Sequence, residues 1–308
     1  MPLLKPVEYE RFTSLEFLAR QVVEGFITGM HKSPYHGFSV EFAEHRLYNT
    51  GESTRHIDWK LYARTDKLFT KRFEEETNLR CRIVIDVSPS MFYPVEKISE
   101  GLNKLAFSIH SAAALTELLK RQRDAVGIAL FSDKVYLNTQ IKSSFSHHKM
   151  LYYELEKAYH QYTPGATGST HISEALHEIA ENTHKRSLIV LFTDMFDSGH
   201  RLNEIFSALQ HLRYKKHEVI IFHVVDKEHE INLEFENRPY TFVDMETAEE
   251  VKLNPTQIKD EYQRLVSAQK KEVADKCGQY RIDLVDCDIR EGYNKVLTQY
   301  LVKREKMY

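Results

Sequence analysis

The stretch RIVIDVSPS, residues 82–90, decides the fold of this 308-residue chain. Its apolar residues from Ile83 to Ile85 are typical of a strand buried on both faces, and polar residues begin at once with Asp86. Three similar, largely apolar runs follow, separated by segments whose apolar residues recur at helical spacing: AVGIALF (125–131), SLIVLFT (187–193) and EVIIFHVV (218–225). This alternation predicts an α/β fold with a mostly parallel sheet and helices on both of its faces.

The residues that precede this pattern differ from it. Leu15, Leu18, Val22 and Phe26 recur at helical spacing, which predicts an N-terminal helix. An aromatic and charged stretch follows over residues 31–76, with short β-like pieces near turn-forming glycines. We therefore predict a helix and a small β or irregular extension before the sheet.

Two domains follow from this change of pattern, in line with the usual ~150 residues per domain. Residues 1–79 are predicted to form the N-terminal helix and extension, and residues 80–308 the sheet domain. Within the sheet domain, residues 231–253 have the pattern of a β-hairpin insert, with its turn expected around Asn237-Arg238-Pro239. The last strand is expected over Tyr280–Val285.

Composition argues against several classes of protein. The chain has 42 Lys and Arg residues against 45 Asp and Glu, a net charge of -3, which disfavours binding to nucleic acid by bulk positive charge. Three cysteines without a CxxC pair indicate neither a disulfide framework nor a thiolate zinc site. No apolar run approaches the ~18 residues that span a bilayer, and no signal-peptide pattern is visible, so we expect a cytoplasmic protein without a membrane span. His147 and His148 are expected at a solvated helix start.

Polar side chains with oxygen atoms follow two of the predicted strands. Asp86, Ser88 and Ser90 leave the first strand, Asp194 follows the strand SLIVLFT, and Thr170 lies in a turn before a helix. In parallel sheets, ligands bind beyond the carboxyl ends of the strands. Carboxylates and hydroxyls are ligands of hard divalent cations, so we predict a site for Mg²⁺ (or Mn²⁺ or Ca²⁺). The absence of histidine and thiolate from the set disfavours zinc.

The same five residues resemble the metal-ion-dependent adhesion site of the von Willebrand factor type A fold. That motif is D-x-S-x-S, then a Thr before a helix, then an Asp after a buried strand, and all its positions are filled. The resemblance implies that these residues hold a metal ion with an open coordination position. The alternative is that Asp86 and Asp194 only cap turns or helices.

A second resemblance covers nearly the whole chain. The stretches EFAEHRLYNTGE (41–52) and RHIDWKLYART (55–65) are similar to the signature of the bacterial domain-of-unknown-function family 58, which carries a von Willebrand A-like domain after it. Genes of that family commonly neighbour those of MoxR-type AAA+ ATPases, so the resemblance implies such an ATPase or its client as a protein partner. The signature, Glu41–Thr65, is either a partner surface or an internal network of Arg–carboxylate pairs, and Trp59 is expected in the core.

Three functions are compatible with these residues. The first is a metal-dependent protein-interaction module, an adaptor or co-chaperone, in which a partner's Glu or Asp completes the coordination of the ion. The second is a Mg²⁺-dependent phosphohydrolase with Asp86 as nucleophile, but haloacid-dehalogenase-type enzymes use Asp-x-Asp, where this chain has Ser88. The third is a scaffold whose metal site is vestigial. We expect the first, a protein without catalytic residues.

Overall fold

A computed structural model describes residues 15–16, 18–20, 23, 41–48, 57–74, 79–95, 102–160, 172–194, 202–245 and 247–305. The chain divides into two compact units, one formed by residues 1–34 with 80–308 and the other by residues 35–79. The division drawn from the sequence, residues 1–79 with the N-terminal helix and extension and residues 80–308 with the sheet, stays a prediction.

The smaller unit is a β-hairpin with one short helix in its connection. It contains β1 (Glu41–Leu47), α1 (Trp59–Thr65) and β2 (Phe69–Glu74), and the two strands pair antiparallel. Asp58 caps α1 because its carboxylate accepts hydrogen bonds from the backbone N–H groups of Lys60 and Leu61. The expectation that Trp59 lies in a core is wrong, because this residue is 61% exposed. Within the described residues, its ring makes an edge-to-face contact with the ring of Tyr62. Since residues 49–56 lie outside the described residues, the role of the signature stays open.

The larger unit contains the main sheet and most of the helices. In chain order its elements are β3 (Arg80–Asp86), α2 (Lys104–Arg121), β4 (Ala125–Phe131), β5 (Val135–Asn138), α3 (Phe145–Tyr159), α4 (Ile172–Asn182), β6 (Leu188–Thr193), α5 (Leu202–Tyr214), β7 (Glu218–Val225), β8 (Tyr240–Val243), β9 (Glu250–Leu253), α6 (Pro255–Gln279), β10 (Asp283–Asp288) and α7 (Tyr293–Glu305). A 3₁₀ turn over Pro89–Phe92 follows β3, and a π-helical turn over Lys227–Ile231 follows β7.

Six strands form the main sheet in the order β10-β7-β6-β3-β4-β5. The first five of these pair in parallel, and only β5 is antiparallel, as a hairpin partner of β4. The predicted α/β class with a mostly parallel sheet is confirmed. The middle strands β3 and β6 each have neighbours on both sides, and all of their residues except Arg80 are buried.

Helices cover both faces of this sheet. Alternate strand residues such as Val84, Leu191 and Ile221 belong to one apolar cluster with residues of α4, α5 and α6. The intervening side chains point to the opposite face, where α2 packs against β3, β4 and β7 and is buried along nearly its whole length. The described residues therefore form one continuous sheet core with a helical layer on each side.

The N-terminal segment packs against this helical layer. Its described residues are helical, and Leu15, Leu18 and Val23 are buried. The backbone N–H of Leu15 donates to Glu156 Oε1 at 2.8 Å, and Lys120 Nζ lies 3.1 Å from Glu16 Oε1. These contacts with α2 and α3 explain why the segment belongs to the sheet unit.

Three further local expectations are wrong: the position of the hairpin turn, the solvation of the histidine pair and the start of the last strand. The insert does contain a hairpin, but its connection runs from Asp244 to Glu249, whose backbone groups pair at 2.9 Å, and not through residues 237–239. Asn237 instead accepts a hydrogen bond from the Thr256 hydroxyl at the start of α6. The pair His147 and His148 is buried and not solvated, because both lie on the buried face of α3, where His147 Nε2 is 2.9 Å from the Val126 carbonyl oxygen of β4.

The last strand, β10, begins three residues later than the expected Tyr280, because Arg281 adopts a left-handed turn conformation with a φ of 53°. Within the described ranges, none of the helices combines the length and apolar character needed to cross a membrane.

Candidate metal site

Two carboxylates meet at the carboxyl edge of the sheet. Asp86 is the last residue of β3, and Asp194 directly follows β6. Because β3 and β6 are parallel neighbours with Ile85 opposite Phe192, their carboxyl ends lie side by side. The side chains of Asp86 and Asp194 are 0% and 5% exposed.

Four of the five predicted ligand residues are joined by a chain of hydrogen bonds. Asp86 Oδ1 accepts from the Ser88 backbone N–H at 2.9 Å. The hydroxyls of Ser88 and Ser90 lie 3.0 Å apart, and the Ser90 hydroxyl donates to Asp194 Oδ1 at 3.2 Å. The fifth residue, Thr170, lies outside the described residues.

The local sequence explains how the serines reach this position. Pro89 begins the 3₁₀ turn that follows β3, and its restricted φ angle suits the first position of such a turn. The turn reverses the chain over the strand end, and the backbone N–H of Met91 donates to the carbonyl of Ser88 at 3.1 Å. Ser88 and Ser90 are therefore on the same side of the turn and face the acid of the neighbouring strand.

The spacing of these oxygens fits a small divalent cation. Mg²⁺ binds oxygens at about 2.0–2.1 Å in an octahedron, so adjacent ligands lie about 3.0 Å apart. The separations of 3.0 Å between Ser88 Oγ and Ser90 Oγ and 3.2 Å between Ser90 Oγ and Asp194 Oδ1 are close to that edge length. No three His, Cys, Asp or Glu side chains in the described part of the chain could hold a metal by themselves, so a cation would need the serine hydroxyls.

Burial changes the acidity of Asp86. Removal from water, followed by the negative charge of Asp194, raises the pKa of Asp86 from 3.8 to about 7. Hydrogen bonds from Ser88 and from the Thr193 hydroxyl, which donates to Asp86 Oδ2 at 2.8 Å, act in the opposite direction. A proton or a nearby cation therefore stabilises this carboxyl group at neutral pH.

Lys104 brings a positive charge to the same place. Its ammonium lies 2.6 Å from Asp194 Oδ2 and 2.6 Å from Glu230 Oε1, and the side chain is 1% exposed. Neither Lys104 nor Glu230 is identified by the sequence analysis. The one available signal is that Lys104 is the first residue of α2, where the helix dipole disfavours a positive charge.

A second network holds Glu230 in position. Glu230 Oε2 accepts the backbone N–H of Asp226 at 2.7 Å. Asp226, fully buried just after β7, accepts from Arg290 Nε at 2.8 Å and lies 2.9 Å from His229 Nδ1. Although burial acts to raise it, hydrogen bonds from Arg290 and His229 lower the pKa of Asp226. Asp226 also follows a buried strand, so the rule that located Asp194 could have found it.

A cavity lies at the opposite edge of the sheet. It has a volume of about 660 Å³ and is lined by residues that include His177, His211 and Tyr280. The Nδ1 atoms of the two histidines are 2.9 Å apart, and Glu181 lies 3.0 Å from the other nitrogen of His211. None of Asp86, Ser88, Ser90 and Asp194, the four predicted ligand residues that the structure describes, lines this cavity.

Comparison with known proteins identifies a family and relatives that match most of the chain. A family model described as "Protein of unknown function DUF58" matches residues 44–272. Uncharacterized proteins of Mycobacterium tuberculosis and Mycobacterium bovis are 22% identical to the chain over 214 residues, which are 69% of this chain. The chain spans 63% of the length of these relatives.

Three solved structures with similar folds are of low sequence identity. An aerotolerance-related membrane protein from Bacteroides fragilis has a TM-score of 0.43 and 14% identity, covering 75% of this chain and 100% of its own. BatB from Bacteroides thetaiotaomicron has a TM-score of 0.39 and 15% identity over 74% of this chain and 99% of its own. Proximal thread matrix protein 1 from the mussel byssus, with a zinc-occupied MIDAS motif, has a TM-score of 0.32 and 16% identity over 50% of this chain and 40% of its own.

Proposed function

The chain belongs to the DUF58 family, whose model matches well over half of its residues. From that premise we propose that the chain is a protein-interaction module that depends on a divalent cation. In this proposal Mg²⁺, or Mn²⁺ or Ca²⁺ in its place, is held by Asp86, Ser88, Ser90, Thr170 and Asp194. The observation that carries the proposal is the chain of hydroxyl and carboxylate oxygens that links the ends of β3 and β6 at the spacing of an octahedron's edge. The bound cation would supply a positive centre with an open position for a carboxylate.

The partner in this proposal supplies that carboxylate. A Glu or Asp side chain on the surface of another protein would complete the coordination and shift the surrounding loops toward the bound conformation. The resemblance to family 58 supports a MoxR-type AAA+ ATPase, or a client presented to it, as this partner. The chain would then act as an adaptor or co-chaperone.

The environment of Asp86 supports a binding role over a catalytic one. Both of its oxygens accept hydrogen bonds, from the Ser88 backbone and from the Thr193 hydroxyl, and the side chain is 0% exposed. A nucleophilic carboxylate must reach its substrate directly, and a carboxylate that is 0% exposed has no open path to one. We therefore propose no catalytic residue in this chain.

Binding of purified components tests the proposal. The chain is immobilised, and its binding to a purified MoxR-type AAA+ ATPase from the same genome is measured by interferometry in Mg²⁺ and in EDTA. Binding should require Mg²⁺ and should be lost in Asp86→Ala and Ser90→Ala. The control is Asp275→Ala, which removes an exposed acid on α6 and should leave binding unchanged.

Calorimetric titration of Mn²⁺ into the chain alone separates the two parts of the proposal. Binding of Mn²⁺ without binding of the ATPase would refute only the partner. Equal binding of the ATPase in Mg²⁺ and in EDTA would refute the dependence on a metal.

A further inference from the structure

Three carboxylates and one ammonium lie together at the carboxyl edge of the sheet. Lys104 Nζ bridges Asp194 and Glu230 at 2.6 Å each, and Asp194 is linked through Ser90 and Ser88 to the turn that follows Asp86. If all four groups are ionised, the group carries two negative charges, which is the charge that one divalent cation neutralises. The lysine thus supplies part of the positive charge that this acidic group requires.

Lys104 is held at this position by these acids. It is the first residue of α2, where the partial positive charge of the helix N-terminus repels an ammonium. A lysine with 1% exposure also gives up almost all of its hydration, which is costly unless ionised acceptors replace the water. Asp194 and Glu230 are two such acceptors, and the backbone N–H of Asp226 fixes the second of them.

We propose that the ammonium of Lys104 is a tethered internal cation that competes with the divalent cation for this site and so lowers the site's affinity for metal. The inference rests on the proposed function, since it concerns the same site. The ammonium uses Asp194 Oδ2, one oxygen of the carboxylate whose other oxygen accepts from Ser90. A divalent ion bound beside the serines is repelled by a positive charge on the same carboxylate, and the repulsion is strong because the site is shielded from water. Binding of the metal therefore moves Lys104 away from Asp194.

The first test compares Mn²⁺ affinity by calorimetry in the whole chain and in two variants. Lys104→Met keeps an unbranched side chain only one atom shorter and removes the charge, and it should bind Mn²⁺ roughly tenfold tighter or more. Lys120→Met is the matched control, because Lys120 lies near the other end of α2, about 24 Å away at 1.5 Å per residue, and pairs with Glu16 and Glu117. The control should bind Mn²⁺ as the unmodified chain does.

The second test uses the unmodified protein and does not depend on the folding of a variant. Lysines are acetylated with an N-hydroxysuccinimide ester with and without Mn²⁺, and each site is quantified by mass spectrometry. Lys104 should be protected without metal and should become several-fold more reactive with it, whereas Lys120 should not change.

The outcomes are distinct. Mn²⁺ binding that is equal or weaker in Lys104→Met, or reactivity of Lys104 that Mn²⁺ leaves unchanged although it binds, would overturn the competition and leave the metal site in place. If neither the unmodified chain nor Lys104→Met binds Mn²⁺, the metal site of the proposed function is refuted, and the competition with it.

Discussion

Replacing Asp86 by asparagine should stabilise the metal-free protein at pH 8. Burial, followed by the charge of Asp194, raises the pKa of Asp86 from 3.8 to about 7. The folded protein therefore binds this proton more tightly than the unfolded chain does. Stability falls as the pH rises between these two values, and the whole cost is present above the higher one. An asparagine removes the charge and with it this loss of stability.

The size of the effect follows from the same numbers. A difference of about 3 pH units corresponds to up to about 4 kcal/mol at about 1.4 kcal/mol per unit. The amide replaces one of the two acceptor oxygens that bond to Ser88 and Thr193, and this mismatch costs about 1 kcal/mol. We expect Asp86→Asn to gain about 1–3 kcal/mol at pH 8 and to be no more stable than the unmodified chain near pH 4.

Urea unfolding in EDTA at pH 4, 6 and 8 measures this difference. Asp286→Asn is a control of opposite sign: although burial acts to raise it, hydrogen bonds from His223 and Lys270 lower the pKa of Asp286 to about 2. Its charged form stabilises the fold above the unfolded pKa, so this variant should lose stability at pH 8. In saturating Mg²⁺ the gain of Asp86→Asn should shrink or reverse, because the cation stabilises only the chain that binds it.

A particular result would refute the reasoning. Asp86→Asn could prove less stable than the unmodified chain by the same amount at pH 8 and at pH 4. In that case the burial of a charge at Asp86 does not lower the free energy of unfolding. The side chain would then act only through its hydrogen bonds.

Two further predictions concern the packing of the sheet. Leu191→Ala leaves a cavity at a fully buried position of β6 and should lower the free energy of unfolding by about 2–5 kcal/mol in urea titrations, and a loss below 1 kcal/mol would show that the core around it can collapse. Gly127→Ala should lower the thermal midpoint, because its Cβ would lie 2.9 Å from the Gln140 carbonyl oxygen. Gly278→Ala is the control: nothing lies within 4 Å of the new atom, so the thermal midpoint should rise or stay unchanged. Equal changes in the thermal midpoint of Gly127→Ala and Gly278→Ala would contradict this account.

Three of the four buried strands were predictable to within a residue, whereas β3 begins at Arg80, two residues before the predicted run. The runs at Ala125–Phe131 and Glu218–Val225 are strands with those bounds, because a strand covered on both faces must be apolar throughout and the polar residues around it mark its ends. The edge strand β10 has no such signal. Its sequence DLVDCD mixes three acidic residues with three apolar ones, so a local pattern could not separate Asp283 from the turn before it.

The hairpin connection and the histidine pair were missed for a related reason. The Asn237-Arg238-Pro239 stretch has turn-forming residues, but Asn237 is used to anchor the start of α6. His147 and His148 are polar by type, and only the packing of α3 against the sheet shows that they are buried. In both cases a contact with a distant element overrides the local preference.

The candidate site divides in the same way. Asp86, Ser88, Ser90 and Asp194 could be placed from the sequence, because the residue that follows a buried parallel strand lies at a known edge of the sheet. The amino-acid sequence alone thus determined the fold class and the position of these four oxygen-bearing side chains at that edge. Only the tertiary structure decided that Lys104 joins them, because its partners Asp194 and Glu230 are 90 and 126 residues away in the chain. Hydrophobic periodicity indicates whether a residue is buried. Which charged groups surround Lys104 depends on how the start of α2 packs against the turn after β7.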